Sequence, residues 1–521
     1  MEYINNGLNE KINNLKNKDI VGILYIQSHI KYGLENKKYY LFKPTCNEYP
    51  NFYVSYNNKN NNQNIYAVIQ YKEWNKEHKN PIGILINNLG IIGNVEAEYE
   101  HMLYYYNVKN VSWKQNMEYI KRDEMELKDL NYIDYEVFSI DPEGSLDIDD
   151  AFHFYKNENI YELGIHIACP IKFFNDDIEK ILKRVCTVYL PNVKYNMLPN
   201  VYADNLLSLL ENKKRYSLSI IIKFDKNLKI VNDEIKECVI MNIKNYNYEE
   251  FDKEYKKNEN TKDFFEFSKK FFNECDDSHK LVENWMIYAN KYIANYLMNK
   301  SHLTNIILRK HDTKVNDIYL NYNGMDESLK SYLKIRNESC ATYEIYDKNK
   351  DINYKHSKLG NEYYTHFSSP IRRAIDCFIH KLIITNKDIL NNDELTNYVN
   401  NINIFTKNVR KLDRICKRLN FIFKNDCDHI VTYSYIISMC DNYIKVYIPK
   451  YNLEEKIVII PYKFKNICIS YIDIEDENKR TYIIDDYKKS FKLYEKIYVK
   501  LWIFKKSENI FEKIKIEIME E

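Results

Sequence analysis

The stretch FSIDPEGSLDIDDAF, residues 138–152, holds four aspartates, Asp141, Asp147, Asp149 and Asp150, within ten positions and with no lysine or arginine among them. Phe138, Ile140, Ile148 and Phe152 set this charge among apolar side chains. Carboxylates held close together repel one another and stay ionised only where positive charge compensates. Hard divalent cations such as Mg²⁺ do this through oxygen ligands. The apolar neighbours suggest carboxylates leaving a buried strand, where one or two ions could activate a water and stabilise a leaving oxygen; paired ions in such sites lie about 3.5–4 Å apart. An acidic, solvated surface loop is the competing reading. A calcium loop is not: with Asp147 at the first position, Glu158 falls at the twelfth, but Phe152 stands where glycine is required and Ala151 at a ligand position.

The chain around this stretch has 521 residues, enough for roughly two to four domains. Its 45% hydrophobic and 29% charged residues are the balance of a globular protein. Forty-nine tyrosines against ten glycines, with abundant Asn, Lys and Ile, reflect AT-rich coding more than function. Such tyrosines would suit base stacking if they lined a groove. A net charge of +1 excludes a wholly basic nucleic-acid binder but leaves room for a local basic channel. The 11 cysteines are scattered, without CxxC, so neither a disulfide framework nor a structural zinc site is indicated. A reducing compartment follows. With no apolar signal region and no run long enough to span a membrane, the expected location is intracellular, cytoplasmic or nuclear.

Residues 1–18 read as a polar tail or helix. From 19 to 108 short β-like runs (VGILYI, YYLFK, NFYVSY, IYAVIQY, GILINNLG) separated by polar clusters, including an Asn-rich loop at 57–64, predict a small barrel or sandwich. Strands and helices alternate from about 128 to 440, with helical periodicity clearest in LVENWMIYANKYIANYL and SSPIRRAIDCFIHKLII. In the second, Ser369 is placed as N-cap and Pro370 as the first helical residue. From 442 the short β runs return (YIKVYIPKY, KIVIIPY, ICISYI, RTYIID, KIYVKLWIF, FEKIKIEI) and predict a second small barrel.

DPEGSLDIDDAF resembles the signature of the ribonuclease II/R, or RNB, family. The resemblance continues in order through ELGIHIA (162–168), TVYLPNVKYNMLPNVYADNLLSLL (187–210), Arg215, NYNYEEF (245–251), LVENWMIYAN (281–290), LRKH (308–311) and EYYTHFSSPIRRAIDCFIHKL (362–382). One such motif is weak; this many in sequence is specific. On the flanks, VGIL, LFKP (41–44), Pro50, Trp74 and PIGILINNLGIIGNVEAE (81–98) look like the second cold-shock domain of the exosome's catalytic exonuclease, and KVYIPKYNLEE (445–455) like the start of an S1-type barrel. The implied architecture is α+β and multidomain: a cold-shock/OB barrel (19–108), a central RNB α/β catalytic domain (109–440) and an S1-type OB barrel (441–521), funnelling a strand into a channel. Relative to the exosome type, one cold-shock barrel and the endonuclease domain are expected to be missing.

The resemblance implies processive 3′→5′ hydrolysis of single-stranded RNA to nucleoside 5′-monophosphates by a monomer, with Mg²⁺ as one or two ions and Mn²⁺ able to substitute. It leaves exosome-like partners open. Position by position it puts Asp141, Asp147, Asp149 and Asp150 at the metal, with Asp149, Arg372 and Tyr248 as catalytic residues. It makes Tyr189, Tyr248, Arg309, His311 and Arg372 contacts to RNA, with Arg373 and His366 as neighbours. Arg372 suits the stabilisation of phosphate charge by its fixed, bidentate donors; taken alone, it would more simply pair with Asp376 at i,i+4 on an exposed helix face. Several positions depart from the family pattern. Cys169 replaces an aspartate after HIA, Asn284 a glutamate, Lys314 a proline, and Asn452 a glycine in the last barrel, where asparagine also tolerates positive φ. Asp413 is expected near the site. A catalytically silent RNA-binding scaffold and a deoxyribonuclease using the same chemistry are the alternatives.

Overall fold

A computed structural model of the chain describes residues 15–28, 32–34, 37–57, 63–74, 78–109, 131–174, 178–312, 325–337, 339–440, 443–458, 469–470, 479–484 and 487–519. Lys314 and most of the 1–18 tail and of the Asn-rich loop at 57–64 lie outside the described residues. The chain divides into two compact units. One joins Met1–Lys109, Val315–Glu338 and Asn408–Glu521; the other joins Asn110–Lys314 and Ser339–Lys407.

The first unit opens with a six-stranded sheet whose main strands are β1 (Ile20–Leu24), β2 (Lys37–Pro44), β3 (Phe52–Ser55), β4 (Ile65–Glu73) and β5 (Ile82–Ile91), with the short strand Tyr32–Leu34 paired to β2. They run in the order β1-β4-β5-β3-β2, and β2 pairs back onto β1, closing a barrel. The β3–β5 pair is parallel and the others antiparallel, the OB arrangement. Alternation along these strands turns Ile20, Leu24, Phe42, Phe52, Val54, Ile65, Ala67 and Ile69 inward. Gly22 is required at the closing pair, because a Cβ there would lie 2.2 Å from the Lys43 carbonyl oxygen and 2.8 Å from the Phe42 ring. Helix α1 (Val95–Tyr105) follows, capped by Asn94, whose side chain accepts from the Glu96 and Ala97 amides.

The second unit is built on β6 (Val137–Asp141), β7 (Asp150–Lys156), β8 (Ile160–Ala168), β9 (Lys214–Asp225) and β10 (Ile230–Asn247). Their order is β9-β8-β7-β6-β10, and β10 also pairs with β9, so this sheet closes too. β10 and β6 are parallel, placing Asn247 opposite Asp141. The aspartate stretch thus begins at the end of β6 and ends at the start of β7. Helices α2 (Tyr248–Glu254), α3 (Glu259–Phe271) and α4 (Ser278–Met298) follow β10. The α3 residues Phe264 and Phe267 pack on Phe152 and Phe154 of β7 and against Trp285 of α4, whose indole nitrogen donates to Ser268 Oγ at 2.9 Å. Each such buried ring contributes about 1.5–3 kcal/mol of transfer free energy. An antiparallel pair, β11 (Ile307–Lys310) with β12 (Thr342–Ile345), precedes α5 (Ala374–Thr385) and the long α6 (Asn392–Lys424), whose residues from Asn408 on belong to the first unit. α5 begins at Ala374, not at Pro370. Its N-cap is Arg373, with no side-chain cap, because a turn over Pro370–Arg372 intervenes.

The C-terminal part of the first unit is a sheet of β13 (His429–Cys440), β14 (Tyr443–Ile448), β15 (Leu453–Val458), β16 (Lys496–Ile503) and β17 (Ile514–Ile518) in the order β15-β14-β13-β16-β17. The end strands β15 and β17 touch, curling the sheet. It starts at His429, earlier than the boundary expected at 441. Of ICISYI only Ile469–Ser470 lies within the described residues. Asn452 takes φ 49° and ψ 47°, so the turn survives its glycine replacement. Buried Lys513 donates to Glu98 Oε1 of α1 at 3.0 Å, within the same unit, and both side chains are fully buried. Among the described residues, no helix is long and apolar enough to cross a membrane.

Candidate active site

The aspartates are not a solvated loop. Asp149 is 4% exposed, and Asp141, Asp147 and Asp150 are half-buried. The chain turns back between β6 and β7 through Gly144, at φ +75°, where the Ser145 amide donates to the Pro142 carbonyl. The LSLL segment holds this return in place. The Ile148 amide donates to Ser208 Oγ at 2.9 Å, and the Ile148 carbonyl accepts from the Leu209 amide at 3.0 Å. Arg215 in turn holds that segment, its Nε donating to the Ser208 carbonyl at 2.9 Å. The Asp149 carbonyl accepts from the Ala168 amide on β8, which fixes the side chain's direction.

Asp149 meets the SSPIRR turn. Its Oδ1 accepts from the Ile371 amide at 2.8 Å, and its Oδ2 lies 3.5 Å from Arg372 Nε. Arg372 also donates to Ser369 Oγ at 3.0 Å and keeps 43% of its side chain exposed. Ser369 therefore orients the arginine instead of capping a helix. The Arg372–Asp376 pair does not form: Asp376 is fully buried, accepting from Arg373 at 2.7 Å and from the Ser369 amide at 2.7 Å. A buried asparagine that the sequence reading passed over, Asn290 of α4, holds the same turn. Its Oδ1 accepts from the Phe367 and Ser368 amides, and its Nδ2 donates to the Tyr364 hydroxyl and Ser368 Oγ. It lies in the quoted run LVENWMIYAN, but nothing in helical periodicity marks its use.

Electrostatics follow from burial. Burial pushes the Asp149 carboxyl up to about 7 although Arg372 and the Ile371 amide favour its charged form. Burial, aided by the charge of Asp147 and opposed by a hydrogen bond from Ser139, takes Asp141 up to about 7 as well. Asp150 is raised well above the ordinary carboxylate range, first by burial and then by Asp141 and Asp149. Asp141 Oδ2 is buried without a hydrogen-bond partner. An oxygen-only donor set with an orphaned buried oxygen and too little positive charge fits a hard divalent cation. Among the described residues, no three His, Cys, Asp or Glu side chains converge tightly enough to enclose an ion alone. An ion held there would have to be completed by water and substrate phosphate, as Mg²⁺ commonly is.

Tyr248 opens α2 directly after β10, capped by Asn247, whose side chain accepts from the Glu250 amide. The pairing of β10 with β6 brings it beside the carboxylates: burial, then Asp150 and Asp141, push its hydroxyl up to about 12. Its ring stacks on His279 at 3.7 Å between centroids, a partner no motif indicated. Tyr189 is 53% exposed, and its hydroxyl donates to Asp147 Oδ2 at 3.4 Å. Arg309 lies over the Tyr343 ring at 4.9 Å, and the Tyr343 hydroxyl is 2.6 Å from His366 Nδ1. Burial and the charges of Arg373, Arg309 and Arg372 hold that imidazole neutral. His311 is 5% exposed, with Nδ1 2.6 Å from Ser357 Oγ and Nε2 2.8 Å from the Ser339 carbonyl. Both ring nitrogens are thus engaged by the chain itself, on either side of the loop after β11. Cys169 is buried at the end of β8, where burial pushes its thiol up to about 12. Asn284 donates to the Glu274 carbonyl. Asp413 belongs to the other unit, where it pairs with Lys417.

Residues 128–270 and 266–388 match the RNB domain, and residues 39–107 match the Dis3-like cold-shock domain 2. The chain is 24% identical over 485 residues to the probable exosome complex exonuclease RRP44 of Caenorhabditis elegans, covering 75% of this chain and 50% of that protein. To human exosome complex exonuclease RRP44 it is 22% identical over 581 residues, covering 94% and 58%. The chain thus spans about half the length of the curated relatives it matches. Among solved structures, Mycoplasma genitalium RNase R in complex with ribose-methylated single-stranded RNA superposes with a TM-score of 0.74 at 17% identity, covering 96% of this chain and 90% of that one. Yeast Ssd1, a pseudonuclease, superposes at 0.68 and 17%, covering 96% and 83%. Barrels around a mixed α/β domain are therefore the shared fold.

Proposed function

The chain belongs to the RNB domain family, and we propose that it is a 3′→5′ exoribonuclease that degrades single-stranded RNA processively to nucleoside 5′-monophosphates. The observation that carries this reading is the meeting of Asp149 with the Ile371 amide and Arg372, beside the orphaned oxygen of Asp141. Asp141, Asp149 and Asp150 would hold Mg²⁺, which supplies Lewis acidity and lowers the pKa of a bound water. The chain's own residues do the rest. Arg372, fixed by Ser369 and half exposed, offers a charged planar donor for the non-bridging oxygens of the scissile phosphate as charge builds there. Tyr248, seated on His279, presents its ring for the terminal nucleotide, and exposed Tyr189 offers a second stacking face. Both act on any base, as processive degradation requires.

A second reading, a catalytically silent RNA-binding relative, is favoured by one observation, the likeness to a structure titled a pseudonuclease. The intact carboxylates and Arg372 weigh against it. RNA labelled at its 5′ end, incubated with Mg²⁺ and then with EDTA, separates the two. A short end product without a ladder of intermediates, formed only with metal, is expected. Intact RNA that nevertheless binds would establish the silent scaffold. A matched DNA strand should remain uncut.

A further inference from the structure

Tyr189 and Lys194 face each other across a short antiparallel pair, Val188–Tyr189 with Lys194–Tyr195, so their side chains leave the same face. Both reach Asp147. Lys194 Nζ lies 2.9 Å from Oδ1, and the Tyr189 hydroxyl 3.4 Å from Oδ2. The same ammonium lies 3.0 Å from Asp204 Oδ1, and Asp204 accepts at both oxygens from Asn196 Nδ2. The three charged side chains are between 14% and 26% exposed, so their attraction is screened less than that of a surface pair.

The oxygens of the acidic site therefore fall into two classes. Those of Asp147 are engaged by the chain's own donors. Among the described residues, Asp141 Oδ2 is buried with no hydrogen-bond partner, and Asp149 Oδ2 faces Arg372 Nε at 3.5 Å. We propose that Lys194 is a resident cation of this site: it neutralises Asp147, stands where a second divalent ion would otherwise be needed, and leaves the site to take one ion from the Asp141, Asp149 and Asp150 side. Asp147 then seats the Tyr189 hairpin and is not a metal ligand, a departure from the reading of the motif alone. The proposal rests on the metal-assisted function proposed above. It makes Lys194 a positioning residue that couples the stacking tyrosine to the carboxylates, since one carboxylate holds both members of the cross-strand pair.

The test is a Mn²⁺ titration followed by electron paramagnetic resonance, without RNA, on the wild-type chain, Lys194→Met and Lys194→Arg. One ion is expected for wild type and Lys194→Arg. Lys194→Met should bind a second ion, or the first at least about tenfold more tightly, as removal of one unit charge beside the ion in a half-buried site requires. A Lys194→Met chain with wild-type melting and wild-type binding overturns the proposal alone, as does a wild type that already binds two ions. A wild type that binds none overturns the metal-assisted reading and this proposal with it. A further pair covers the case in which Lys194→Met does not fold. The double variant Asp147→Asn/Lys194→Met, which removes the pair and leaves the local charge unchanged, should keep Mn²⁺ binding within twofold while weakening RNA affinity through Tyr189, and Asp141→Asn should weaken Mn²⁺ binding at least about tenfold. The reverse order overturns the proposal.

Discussion

Arg372 and Asp149 are 223 positions apart in the chain, yet Nε of one stands 3.5 Å from Oδ2 of the other while the amide of Ile371 holds the second oxygen at 2.8 Å. The carboxylate thus orients the arginine and is itself oriented by the backbone of the same turn. Asp149→Asn keeps this shape and removes the charge. Hydrolysis should be abolished while RNA affinity, measured by fluorescence anisotropy, is retained; normal turnover in this variant would sink the assignment.

Arg372→Ala removes a half-exposed guanidinium that faces Asp149. The expected loss is about 10²–10³ in kcat, the order seen for deleting a preorganised donor to transition-state charge. Arg372→Lys should recover little, because lysine lacks the planar fork. A loss of RNA affinity with kcat unchanged would instead assign the residue to simple binding.

Tyr248→Ala should weaken binding of an RNA 3′ end by about 1–3 kcal/mol, the worth of one base–aromatic stack. Tyr248→Phe should retain most of it. His279→Ala removes the ring on which Tyr248 sits and should produce a smaller loss in the same assay. If Tyr248→Ala and wild type bind equally, the stacking role fails.

The raised carboxylates predict how stability varies with pH. With folded-state pKa values of about 7 against an ordinary 3.8, Asp141 and Asp149 bind protons more tightly folded than unfolded. Their contribution is full below the unfolded value and is lost as pH rises through about 7. In EDTA, Tm should therefore fall between pH 5 and pH 8. Added Mg²⁺ should raise Tm more at pH 8 than at pH 5, since it competes with those protons. Calorimetry in EDTA and in Mg²⁺ checks both; a Tm independent of metal at pH 8 would contradict the site.

Asn290→Ala strips the buried Phe367 and Ser368 amides of their acceptor, at about 1–3 kcal/mol for each unsatisfied group. A lowered Tm is expected, with kcat falling further than RNA affinity because the displaced turn carries Arg372. A fall in Tm with unchanged kcat would make Asn290 purely structural.

Much of this was legible in the amino-acid order. The alternation of short apolar runs at both ends marked barrels, and the structure closes the first of them strand on strand. The density of aspartates between Ile140 and Ala151 marked the site, since so much like charge beside apolar residues is unfavourable unless something uses it. Asn452 kept a positive φ because the turn needs only a residue that tolerates it. These are local properties, fixed by side-chain volume, charge and backbone freedom within a few positions. What the sequence could not decide were the partners. Spacing offered Arg372 to Asp376 at i,i+4, but α5 begins at Ala374, so the turn before it gives Asp376 to Arg373 and sends Arg372 to Asp149. For His311, expected to contact RNA, spacing gave no sign that Ser357 and the Ser339 carbonyl meet its two ring nitrogens. Lys194 carried no signal, because its bond to Asp147 depends on the register of one hairpin against a loop 47 residues earlier. Pairs of this kind are set by strand closure and burial, which create strong interactions by excluding water from groups whose separation along the chain says nothing of their distance.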